Sequence, residues 1–122
     1  MPSLNASVEL TRGRIRGRDG AYLGIPYAAS PVGERRWHAP SPLESWAGEL
    51  DALAPGPPPP QPTRPISEFA WGAIPPGDED CLYLNVWVPT RSGAGDWPVL
   101  VWSHGGGWTT APSSPTPPRL WL

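Results

Sequence analysis

Pro98-Val-Leu-Val-Trp-Ser-His-Gly-Gly-Gly-Trp108 is the stretch that decides the fold. Its apolar run, Pro98 to Trp102, predicts a buried β-strand, being too short for a typical helix. The run leads directly into His104 and three glycines, Gly105, Gly106 and Gly107. Without a Cβ, glycine leaves its N–H unscreened and can adopt unusual φ/ψ. Such a loop at a strand's end can aim N–H groups at an anion, or at an oxygen on which negative charge develops.

Outward from this strand, the chain continues to favour β-structure. Cys81-Leu-Tyr-Leu-Asn-Val-Trp-Val88 is β-prone and stops at Pro89, which cannot donate to a ladder. Near the start, Val8-Glu-Leu-Thr11, Arg14-Ile-Arg16 and Ala21-Tyr-Leu23 are short runs punctuated by glycine, predicting a small antiparallel meander. Arg12, Arg14, Arg16 and Arg18 alternate along it and read as one solvated face. Gly24-Ile-Pro-Tyr-Ala28 and Ser30-Pro-Val-Gly33 have the residues of loops. Between Glu34 and Trp46, Pro40 and Pro42 rule out a sound helix. Pro55-Gly-Pro-Pro-Pro-Pro-Gln-Pro62 favours polyproline II or an irregular extended path. Phe69 and Trp71 are candidate loop anchors, and the eight tryptophans read as core and loop anchors generally.

Composition narrows the functional classes. A chain of 122 residues is one domain at most, with room for a modest core. The net charge of −2, with arginine as the sole cationic side chain, gives no electrostatic case for nucleic acid or an anionic membrane. No apolar segment approaches the roughly 20 residues of a membrane span, and residues 1–20 lack the apolar core of a secretory signal. The expectation is a cytoplasmic chain. Cys81 stands alone, so no internal disulfide is possible. It has no cationic neighbour in sequence, and the acids at 79 and 80 raise a thiol pKa. Asp78-Glu-Asp80 reads as a turn with one salt-bridged member rather than a metal site; no metal ligand set is assigned. His38 reads as a packed or surface side chain.

Taken together, these segments resemble the N-terminal part of the type-B carboxylesterases, the cholinesterase-like branch of the α/β-hydrolases. The matching pieces are Gly13-x-x-x-Gly17, Gly24-Ile-Pro-Tyr-Ala28, Pro31-Val-Gly33, Arg36-Trp37 with Pro40, Trp46 with Gly48, Gly56-Pro57 with Gln61, Glu79-Asp-Cys-Leu-Tyr-Leu-Asn-Val-Trp87 and His104-Gly-Gly-Gly107. They fall in the family's order, close to its spacing, over about residues 8–108. The resemblance implies an α/β class fold, seen in this portion as short β-strands and loops with little helix. It implies a carboxylic-ester hydrolase acting on a small-molecule ester through a serine acyl-enzyme, with no cofactor. The backbone N–H groups of Gly106 and Gly107 would be oxyanion-hole donors, with His104 and Gly105 supporting the loop. Arg36 and Glu79 would form a structural salt bridge of small net worth.

Departures from the family pattern set further expectations. Many secreted members carry a cysteine that bridges to the position of Cys81; Pro59 stands there in this chain, which implies a free, buried thiol. None of the ten serines lies in Gly-x-Ser-x-Gly. The pattern fades near residue 111, giving way to four prolines between Pro112 and Pro118. Residues 1–110 are therefore expected to be an incomplete carboxylesterase portion and 111–122 an aberrant proline-rich tail, left by a frameshift or early stop near codon 110. Such a chain would be inactive alone and marginally folded, with Val99 to Trp102 lying open. Two alternatives come from another class. One is a non-catalytic interaction protein using the proline-rich segment 54–65 as a ligand for aromatic-lined grooves; the other is an adhesion-type relative of the family.

Overall fold

The computed structural model describes residues 5–62, 69, 75–89 and 97–104. The meander forms where the alternation predicts, but its third strand runs on through Gly24-Ile-Pro26, whose residues read as loop: β1 is Asn5–Leu10, β2 is Gly13–Arg18 and β3 is Ala21–Pro26. Two-residue turns join them. Asp19 and Gly20 both take positive φ (51° and 79°), the twist that suits a tight hairpin. β1 pairs with all of β2, antiparallel, from Asn5↔Arg18 to Leu10↔Gly13. Alternation along β2 buries Ile15 and Gly17 on one face and sends Arg14, Arg16 and Arg18 to the other. Gly17 is there because Tyr22 lies across it: a Cβ would come 2.5 Å from the Tyr22 ring and from the Ala21 carbonyl oxygen.

β2 and β3 separate almost at once, pairing only at Arg18↔Ala21. Into the opening comes β4, Glu49–Asp51, which runs parallel to β2 at residues Arg14–Arg16. Its continuation reaches across to β3. The Ala52 N–H donates to the Arg16 carbonyl, the Leu23 N–H donates to the Ala52 carbonyl, both at 2.8 Å, and Leu23 bridges Leu53. β5, Tyr83–Trp87, lies antiparallel along β3 and completes a five-stranded sheet. It is shorter than the run from Cys81 to Val88.

A bulge sets which way β3 faces. The β3–β5 register shifts between Tyr22 and Ile25. Strict alternation would put Tyr22 and Ile25 on opposite faces; the extra residue resets the phase, and both are buried. Gly24 makes the shift possible at φ +70°, where a Cβ would meet the Ala54 carbonyl oxygen at 2.5 Å. The Gly24 N–H, out of step with the ladder, donates instead to Asn85 Oδ1 at 2.9 Å. Ile15, Tyr22, Ile25 and Ala52 form the core, and Trp46 and Leu50 pack against it. Trp46 lies across Gly13 and donates Nε1–H to the Arg14 carbonyl at 3.0 Å.

Between β3 and β4 the chain is loop, apart from a 3-10 turn at Gly33–Arg35. The proline run from Pro55 to Pro62 has no regular hydrogen-bonded structure, as its composition predicts. It is seated on the rest of the chain: Pro58 is buried, its carbonyl accepts the Asp78 N–H at 2.9 Å, and Gly77 approaches Pro59 too closely to admit a Cβ.

Several expectations need correction. Residues 97–104 carry no strand, and Val99 and Val101 are 88% and 87% exposed. A buried strand needs ladder neighbours, and none among the described residues pairs with this run. Its apolar side chains do lie open, as expected. The tryptophans are not uniformly anchors: Trp46 packs on the core, whereas Trp37 is 93% exposed, and Phe69 is also exposed. The Cys81 thiol is free but only half-buried, because it precedes β5 beside an exposed acidic turn. Trp71 lies outside the described residues.

Candidate active-site portion

Of the candidate site residues, Arg36 and Glu79 are brought together. Arg36 Nη2 stands 2.9 Å from Glu79 Oε1, with 56% and 40% of their side chains exposed. Arg36 closes the 3-10 turn, its N–H donating to the Gly33 carbonyl, and its guanidinium lies 5.7 Å from the centre of the Trp37 ring. Glu79 belongs to a tight acidic turn. There the Asp80 N–H donates to Asp78 Oδ1 at 2.8 Å, and the Cys81 N–H donates to the Glu79 carbonyl at 3.0 Å. The short-range bonds of Asp78 fix the turn, as aspartates do by capping their own backbone. One carboxylate then reaches Arg36 and another reaches β5.

The second contact is from Tyr83, whose hydroxyl donates to Asp80 Oδ2 at 3.0 Å. Burial raises the Tyr83 pKa, and the bond to Asp80 adds to the shift. The Cys81 thiol is likewise pushed up, first by burial and then by the negative charges of Asp80 and Asp78. That is the direction the sequence predicts, and it is the opposite of what a nucleophilic thiol needs.

His104 is exposed at the end of the described run 97–104, and Gly105, Gly106 and Gly107 lie outside the described residues. Two hollows among the described residues are lined by neither His104, Arg36 nor Glu79. One, of about 450 Å³, lies beside the β1–β2 turn, between Glu9, Arg12, Tyr27 and Trp46. The other, of about 150 Å³, lies between Arg35, His38, Pro40 and Leu82. His38 is a surface residue. Arg14 and Arg16 of β2 form ion pairs on its solvated face. Arg14 meets Glu9 at 2.9 Å, and Arg16 meets Asp51 at 2.5 Å and Glu49 at 3.6 Å. Among the described residues no three His, Cys, Asp or Glu side chains are grouped to hold a metal ion, and no helix is long and apolar enough to cross a membrane.

The part of Asn85 at the bulge is not foreseen by the motif reading. Its signal is a polar residue in the middle of an otherwise apolar strand.

This arrangement of strands and loops is that of the N-terminal part of an α/β-hydrolase. It superposes on a solved PNB esterase with a TM-score of 0.77 at 38% identity, covering 88% of this chain and 23% of the other. The chain belongs to the carboxylesterase family: the family's sequence model, described as "Carboxylesterase family", matches residues 4–119. That match runs beyond the 8–108 spanned by the motifs. The chain is 49% identical over 106 residues to the phenmedipham hydrolase of Pseudarthrobacter oxydans, covering 82% of this chain and 21% of that protein. It is 46% identical over 98 residues to the para-nitrobenzyl esterase of Bacillus subtilis (strain 168), covering 77% and 20%. It is 41% identical over 102 residues to the fumonisin B1 esterase of Sphingopyxis macrogoltabida, covering 80% and 18%. The chain thus spans about a fifth of the length of these curated relatives.

Proposed function

We propose that this chain supplies the oxyanion-binding side of a carboxylic-ester hydrolase. The observation that carries the proposal is the family match through residues 4–119, which runs across His104-Gly-Gly-Gly107. Attack on an ester carbonyl puts negative charge on its oxygen, and fixed N–H donors lower the barrier most where that charge appears. Gly106 and Gly107 are the proposed donors, with His104 and Gly105 holding the loop. The chemistry is acyl transfer to a serine and then to water, on a small-molecule carboxylic ester. No Gly-x-Ser-x-Gly occurs in the 122 residues, so the proposal for them is confined to the oxyanion side.

The test is a chimera in which residues 8–108 replace the corresponding segment of the Bacillus subtilis para-nitrobenzyl esterase. It is expected to fold and to hydrolyse p-nitrophenyl acetate. Gly106→Pro and Gly107→Pro, each deleting one N–H, should lower kcat by about 10²–10³-fold, roughly 3–4 kcal/mol of barrier, with KM little changed. A chimera that unfolds cooperatively like its parent yet turns over no ester would sink the proposal. So would a folded Gly107→Pro variant with full kcat. We also propose a cytoplasmic location, supported by the unbridged thiol of Cys81; recovery of the native protein from the extracellular fraction would overturn it.

A further inference from the structure

We draw no further inference here: the strongest candidate, the exposed apolar run Val99–Trp102 beyond β5, carries nothing because nothing among the described residues shows what covers it.

Discussion

The Arg36 guanidinium and the Glu79 carboxylate meet at 2.9 Å, tying the 3-10 turn after β3 to the acidic turn before β5. Both side chains remain about half in water, which screens the attraction. A double-mutant cycle with Arg36→Ala and Glu79→Ala, followed by urea unfolding, should therefore return a coupling of only about 0.2–1 kcal/mol. The coupling should shrink in 1 M salt, where the screening length falls to about 3 Å. A salt-independent coupling above 3 kcal/mol would show that water is excluded from the pair.

At the bulge, Gly24→Ala should destabilise far more than Gly33→Ala, although both glycines have positive φ (70° and 59°). A Cβ on Gly33 meets nothing within 4 Å, so only the left-handed backbone cost of about 1–2 kcal/mol applies. A Cβ on Gly24 meets the backbone carbonyl of Ala54, which cannot swing aside without dislodging the link from β4 to β3. Chemical denaturation of the two variants in parallel checks the order; equal losses would refute the steric argument.

Replacing Asn85 by Leu should cost about 1–3 kcal/mol, because the Gly24 N–H loses its acceptor in a half-buried place. Asn85→Asp keeps an acceptor there and should recover part of the loss above the carboxylate pKa. Hydrogen exchange at the Gly24 amide reads the same contact directly, and it should speed up in the Leu variant and not in the Asp variant.

Cys81 and Tyr83 both have raised pKa values, so the folded chain holds their protons more tightly than the unfolded chain does. The folded state then binds more protons through the alkaline range, and stability must fall as pH rises. The fall should begin near the ordinary values, 9.0 and 10.0, and continue past them. Tyr83→Phe should flatten its upper part. Asp80→Asn should speed alkylation of Cys81 by iodoacetamide at fixed pH near 8, by removing a charge that opposes the thiolate; an unchanged rate would count against that electrostatic role.

Val99 and Val101 should govern solubility. An open apolar segment of high β-propensity is a template for intermolecular pairing. Val99→Glu and Val101→Lys should slow the growth of light scattering of the purified chain at 37 °C, whereas Val8→Glu, on the paired strand β1, should have little effect.

Much of the sheet is legible in the sequence because its signals are local. The glycines at 13, 20 and 24 cut the chain into runs, and Ile15 between Arg14 and Arg16 declares which face of β2 is inside. β4 is not legible: Glu49-Leu-Asp51 has three residues and no β-branched side chain, and it is a strand only because β2 and β3 part to receive it. The bulge is half legible, since Gly24 and Asn85 are visible but their pairing across the sheet is not. Arg36 and Glu79 are named by the family resemblance, while their separate sequences say nothing of contact. Pro98 to Trp102 shows the limit of pattern: its residues have the character of a central strand, and a strand still needs neighbours.

The threading of β4 between two strands made before it constrains the order of events as the chain comes off the ribosome. The β1–β2 ribbon can zip locally, but β2 and β3 must not seal along their length before residue 53 has emerged. The slot closes only when a distant piece of backbone arrives, and such long-range closure is slow relative to hairpin formation. That slot is open from Tyr22 onward, where β3 has already left its predecessor, and Gly24 leaves room in it for the latecomer's backbone at Ala54.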